Sequence, residues 1–345
     1  MVVLLALPVS IEASAAGAGI GGSDDRRYIV ADALFLQRTN ATLPRSIAVT
    51  EDAVFGELPA LRSRALVSPV APGLRLFYGD NGSGTGGEGL GWEVGYLGVY
   101  GMAARQQRVL GEPSLQAPGE LGLVPSGFND GVVAEAAYGS ELNSAEANLV
   151  FHRFDGGYCR SSPRPWQRCH GYDGGHVDWL AGFRWAGLEE TATLGFQPPG
   201  VPAPNVYGVR SSSNLFAAQT GVRGRMAFDR WALEGWAKVG LAGTSLDQSQ
   251  SMSLPLASLE PWRSPRSSST GGMGMIADMN LSAVWRLSDV WGLRAGYNLI
   301  WLTGVALAPD QWDFSARQDA GAGTAIRSTG SVFFNGANLG AEARW

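Results

Sequence analysis

Residues 333–345 read FFNGANLGAEARW. Phe333, Asn335, Ala337, Leu339, Ala341, Ala343 and Trp345 alternate with Phe334, Gly336, Asn338, Gly340, Glu342 and Arg344, so one face is mostly apolar and the other small or charged. A period of two with Glu and Arg on one side fits a strand whose outer face meets lipid and whose inner face meets a polar lumen. The preceding segment repeats the pattern: Trp291, Leu293, Ala295, Tyr297, Leu299 and Trp301 share one face, and Gly292, Arg294, Gly296, Asn298 and Ile300 the other. Ten steps of about 3.3 Å, tilted by roughly 40°, cover about 25 Å, the height of the apolar band of an outer-membrane barrel. Trp291 and Trp301 then fall in opposite aromatic girdles, with Trp92, Tyr100, Trp231 and Trp345 as further members.

Composition agrees. Hydrophobic residues make up 45% of 345 positions against 17% charge, with 48 Gly and 12 Trp. Yet mean hydropathy is −0.02, and no apolar run approaches the roughly 18 residues a spanning helix needs. Apolar character is dispersed through alternation, and a soluble sandwich or propeller is the competing all-β reading. The net charge of −5, without a Lys/Arg cluster, argues against nucleic acid as a partner.

The start reads as an export signal, residues 1–15, with the mature barrel in 16–345. Val2–Leu7 is a short apolar core and Ala13-Ser14-Ala15 a small-x-small cleavage site. No Lys or Arg precedes Arg26, as if the true start lay upstream.

Strand-like alternation recurs at Tyr28–Arg38, Leu74–Tyr78, Leu90–Gly101, Ala145–Phe154, His176–Leu188, Leu215–Met226, Trp231–Leu241, Met273–Leu287, Trp291–Thr303 and Phe333–Trp345. The expected fold is an up-and-down antiparallel transmembrane β-barrel of about ten strands, with twelve as the alternative. Phe228–Arg230, Ser288–Val290 and the Gly-rich Asn81–Gly89 read as tight turns on the periplasmic side. Thr39–Gly73, Met102–Ser144, Glu189–Asn214, Ala242–Gly272 and Gly304–Ser331 read as long surface loops, and Asp155–Gly175 as a long exception on the short side.

Several segments resemble a β-barrel porin family abundant in planctomycete bacteria, the one numbered seven in the porin-like series. They are YIVADALFLQR (28–38), SELNSAEAN (140–148), VDWLAGFRWAGLEE (177–190), NLFAAQTG (214–221), WAKVG (236–240), LRAGYNLIWLTGVALAPDQ (293–311) and NGANLGAEARW (335–345), of which LAPDQ and the terminal G-x-E-x-R-W are the most specific. The resemblance implies an outer-membrane barrel and no particular activity. The loop between Cys159 and Cys169 stands as an insertion against the family pattern.

Parity assigns inward Arg75, Glu93, Glu146, His152, Asp178, Arg184, Arg223, Glu234, Lys238, Asp278, Asn280, Arg294, Asn298, Glu342 and Arg344. Two readings stay open. These charges line a pore that passes small solutes, or they pair with one another and fill a narrow barrel, leaving the loops to bind partners. Pro309, Asp310 and Gln311 lie at the mouth, where the segment is expected to fold back over the lumen with Asp310 facing Arg294 or Arg184; deleting Ala308–Phe314 would then widen the path. The bilayer is the one firm partner, and oligomeric state has no signature.

Chemistry is sparse. His152, His170 and His176 all fall toward the periplasmic side, and neither G-x-S-x-G nor H-E-x-x-H occurs, so the chain reads as a non-enzyme without cofactor or metal. Cys159 and Cys169 enclose nine residues, two of them proline. A bridge there would remove roughly 2–3 kcal/mol of unfolded-chain entropy; free thiols, or zinc ligation with His170 and His176, are the other readings.

Overall fold

The computed structural model describes residues 27–39, 42–52, 54, 56–82, 90–110, 112, 114–155, 172–228, 230–255 and 260–345, with backbone only at 152–155 and 172–174. The export signal and both cysteines, with His170, lie outside these residues, as does the His152 side chain. In chain order the elements are β1 (Arg27–Thr39), β2 (Ser46–Asp52), β3 (Gly56–Arg62), β4 (Ala71–Asp80), β5 (Leu90–Val109), β6 (Leu115–Gln116), α1 (Glu120–Leu123), β7 (Val133–Asp155), β8 (Tyr172–Gln197), β9 (Asn205–Phe228), β10 (Trp231–Ser253), β11 (Arg266–Arg286), β12 (Trp291–Val305) and β13 (Gly330–Arg344). Single 3-10 turns occupy Ser63–Ala65 and Ala308–Asp310.

Ten strands close a barrel in the order β1-β13-β12-β11-β10-β9-β8-β7-β5-β4, with β4 returning to β1. Every neighbouring pair is antiparallel, as expected. β1 begins and the chain's last residue lies at the basal end, where Arg27 and Trp345 exchange backbone hydrogen bonds of 2.8 and 3.0 Å. Closure satisfies every ladder without leaving an edge, which a lipid environment requires.

The outer face carries a belt of exposed Leu, Phe, Val and Met, for example Leu293, Leu339, Phe183 and Leu281. Aromatic rings bound it. At the basal side Trp291 and Trp345 are exposed, Trp231 stacks on Phe228 at 4.3 Å and Trp92 stands edge-on to Tyr78. At the upper side each aromatic polar group has a partner on a neighbouring strand: Trp301 Nε1 donates to Ser331 (2.7 Å), Tyr297 to Asn335 (2.8 Å), Tyr100 to Asn143 (2.7 Å) and Trp185 Nε1 to Asn214 (3.1 Å). An apolar body with a satisfied polar tip is what a membrane–water boundary selects.

The strands do not stop there. β7 to β10 run 23 to 26 residues, whereas β12 and β13 have 15 and β4 has 10. At a 40° tilt β8 alone rises about 60 Å, twice what the bilayer needs. The expected loops Glu189–Asn214 and Ala242–Gly272 are therefore largely strand, as is much of Met102–Ser144, and β8 and β9 are joined by a short crossing at 198–204. The reason is an inversion of amphipathicity. Within the belt β8 turns Val177, Trp179 and Phe183 outward and Asp178 and Arg184 inward. Above it, Thr191 and Thr193 point out while Ala192, Leu194 and Phe196 are buried inside.

What they are buried against is a cap. β2 pairs with β3 and β6 in a small sheet, and the expected loop Thr39–Gly73 thus contains two strands. Ile47, Leu61, Leu66, Leu121 and Phe128 of the cap pack with Tyr138, Leu194, Phe196, Tyr207 and Trp312 in one apolar cluster.

Candidate functional site

The interior is built in three layers, each positioned by inward residues of the barrel strands. The basal layer is ionic. Lys238 Nζ lies 2.9 Å from Glu146 and 3.1 Å from Glu93, while Arg223 reaches Glu93 at 3.0 Å and Asp178 at 2.9 Å. Arg184 meets Asp278 at 2.7 Å, and Arg75 pairs with Asp32. Arg225, Arg294 and Arg344 converge on Glu234 (2.7, 3.0 and 2.6 Å) and on Glu342 (2.8, 2.7 and 3.0 Å). Asn298 accepts from Arg75 and Asn280, and donates to Asn338.

None of these charged residues is more than 9% exposed. The set holds as many cations (Arg75, Arg184, Arg223, Arg225, Lys238, Arg294, Arg344) as anions (Asp32, Glu93, Glu146, Asp178, Glu234, Asp278, Glu342). A lumen that selected ions would carry an excess of one sign facing water; this one is neutral and packed. Aromatic rings press on it, with Arg75 4.6 Å from the Trp236 ring and Lys238 4.7 Å from that of Phe77. Glycine makes room where strands crowd: a Cβ on Gly340 would stand 2.2 Å from Asp32 Oδ1.

Above the ions lies an apolar layer that includes Leu34, Leu36, Leu97, Val99, Met102, Leu188, Ile276, Leu302, Leu307 and Phe334, all buried. Above that sits the anchor of the cap. Glu190 Oε1 accepts from Arg38 (2.6 Å) and Tyr138 (2.8 Å), and Oε2 accepts from the Ala308 amide (2.8 Å). Arg45 donates to the carbonyls of Pro309 (2.5 Å) and Trp312 (3.0 Å), Gln311 bonds both ways with Arg327, and Trp312 Nε1 donates to the Tyr207 carbonyl at 3.3 Å.

The segment 308–312 thus folds back over the lumen, but Asp310 meets neither Arg294 nor Arg184. It accepts from the Leu43 amide at 2.9 Å, because both arginines are held by the ionic layer beneath an intervening apolar one. Burial pushes the Asp310 carboxyl above the usual carboxylate range, against the lowering effect of Leu43 N–H and Arg45. Asp313 shifts the other way: burial is outweighed by the Ser315 amide, Arg263 and the Gly323 amide, which hold it low.

Every residue assigned inward by parity whose side chain is described is buried inside the barrel, and Trp92, Tyr100, Trp231, Trp291, Trp301 and Trp345 are exposed outside. Asp32, Arg38, Arg225, Gln219 and Glu190 also belong to the interior and escaped the sequence reading. The first four carry the same parity as their inward neighbours, so that signal was present; Glu190 was hidden in an apparent loop. His176 Nε2 stands 3.7 Å from Asp178 at the basal end. Among the described residues no group of His, Cys, Asp and Glu is arranged to hold a metal.

Fold, belt and interior define a membrane-spanning β-barrel whose lumen is filled by its own side chains. No protein-family model and no curated protein matches the sequence. Among solved structures the chain is similar to the outer membrane protease OmpT from Escherichia coli, with 10% identity, 93% of this chain and 97% of that one covered, and a TM-score of 0.45. It is also similar to a Pseudomonas aeruginosa FadL homologue (10% identity, 93% and 90% covered, TM-score 0.25) and to an anion-selective porin from Comamonas acidovorans (10% identity, 93% and 100% covered, TM-score 0.12). No activity is carried over from similarities of this size.

Proposed function

We propose that the chain is an exported barrel of the bacterial outer membrane, of the planctomycete porin type, whose lumen is shut and whose work is done by the cap and hairpin walls at the cell surface. Export through residues 1–15 is part of this reading. The observation that carries it is the stacking of a charge-neutral ionic layer, an apolar layer and an anchored cap in one narrow lumen. Passage of small solutes, the other reading of the sequence, needs a water-filled route through all three. The closed barrel holds its cap rigidly and presents it, a structural or partner-binding role without a reaction to catalyse.

The test is planar-bilayer recording on purified protein that shows heat-modifiable migration and fractionates with outer membranes. Absence of conductance steps is expected. Regular steps would restore the porin reading, and recovery as a soluble protein would remove the membrane reading altogether.

A further inference from the structure

On the short side of the barrel, residues 62–70 leave the cap and descend to the start of β4. Arg62, Arg64, Val67, Pro69 and Val70 are exposed along this strap, while Ser63, Leu66 and Ser68 are buried. Between the strap and the end of β1 is a cleft of about 370 Å³ lined by Gln37, Arg38, Thr39, Arg64 and Val67.

The register fixes its height. Thr39 pairs with Phe333, which pairs with Trp301 of the upper aromatic ring, and Ala71 at the foot of the strap pairs with Leu36. The cleft therefore opens at the upper membrane boundary, continuous with the lipid-facing belt. Arg64 is the exposed cation of its lining, and no carboxylate belongs to it. Arg38, 2% exposed, turns its guanidinium to the inner face, where it is bonded to Glu190. Arg64 makes no ion pair or side-chain hydrogen bond among the described residues. On the same strap as Arg64, Val67 and Val70 are 56% and 58% exposed, a degree that neither cap nor barrel covers.

We infer that this cleft docks the phosphate headgroup of an outer-leaflet lipid, with the phosphate on Arg64, Gln37 and Thr39 and the acyl chains against Val67 and Val70. Guanidinium supplies the charge-assisted donors that phosphate oxygens require, and the adjoining apolar side chains select a lipid over a free anion. The inference rests on the membrane reading above.

The test is native mass spectrometry of the detergent-solubilised barrel titrated with diphosphoryl lipid A, with its dephosphorylated form and with inorganic phosphate. Diphosphoryl lipid A should bind, and Arg64→Gln should weaken it by about tenfold. Val67→Ser should weaken it without affecting any residual phosphate binding. Arg64 is exposed, so the variant's heat-modifiable migration should match the parent and certify folding. Equal binding by Arg64→Gln, or of the dephosphorylated lipid, overturns the proposal. Inorganic phosphate binding as tightly as the lipid would make the cleft a free-anion site and also overturn it. Loss of heat-modifiable migration by the parent protein would instead be a failure of the membrane reading.

Discussion

Replacing Lys238 by Met keeps the side chain's length and removes its charge from between two carboxylates. At 2.9 Å from Glu146 and an effective dielectric near 20, the gross attraction is roughly 6 kcal/mol, offset in part by the cost of burying the ammonium group. Removing one member of a buried pair leaves an uncompensated charge, so Lys238→Met should lower stability by about 3–5 kcal/mol. Glu93 keeps Arg223, Tyr28 and Asn148, so the stranded charge is mainly that of Glu146. Adding Glu146→Gln, whose amide still reaches Gln219 and Asn148, should recover about 2 kcal/mol, a coupling in the range of contacting residues. Urea unfolding in phospholipid vesicles, followed by tryptophan fluorescence, gives all three values. No conductance should appear in either variant, because the apolar layer above is untouched. A cost under about 1 kcal/mol with no coupling, the behaviour of a water-screened pair, would mean a wet lumen and refute the reasoning.

Three other perturbations probe separate levels. Ala295→Arg, on the lipid face, should cost about 2–4 kcal/mol, whereas Gly296→Ala should cost about 1–3 kcal/mol through crowding, since its Cβ would stand 2.2 Å from Ser282 Oγ; equal cysteine labelling at both positions in liposomes would show the parity wrong. Asp310→Ala should loosen the cap by about 1–3 kcal/mol by orphaning the Leu43 amide, with Asp310→Asn nearly neutral. Because the docked Asp310 holds its proton more tightly than the released one, cap stability should rise as pH falls through the docked value toward the ordinary aspartate value of about 3.9; a Leu43 amide protection factor, corrected for intrinsic exchange, that falls over that window would contradict this. Deleting Ala308–Phe314 should expose the cap to protease without producing conductance, since the ionic layer remains; large steps would place the only seal in the mouth segment.

Much of the barrel was legible because lipid on one side and a polar interior on the other impose a single parity, which Trp291–Trp301 and Phe333–Trp345 display directly. The upper walls were not. Past the girdle the outer face meets water and the inner face meets the cap, so Thr191 and Thr193 beside Leu194 and Phe196 look like a loop to a search for apolar-out strands. β3 was hidden by Pro59, which argues against a strand except at an edge, where the structure places it. Asp310 could be placed at the mouth from sequence, but not its partner: Leu43 is 267 residues away and arrives only through the folding of the cap. Net neutrality of the interior was readable too, since the residues assigned inward by parity hold six acidic groups against six Lys and Arg, and Asp32 and Arg225 add one of each sign.

The filled lumen constrains assembly. Arg27, the first described residue, and Trp345 lie at the basal end, while the cap lies at the other. Once Arg294, Glu234, Glu342 and their companions have packed, no polypeptide can follow through the cylinder. The segments of the cap therefore reach the upper end either before the ionic layer sets or by a route outside the cylinder. The cap's apolar cluster joins Ile47 to Trp312, so it waits for nearly the whole chain. The packed charge network thus closes the cylinder to any later passage of chain.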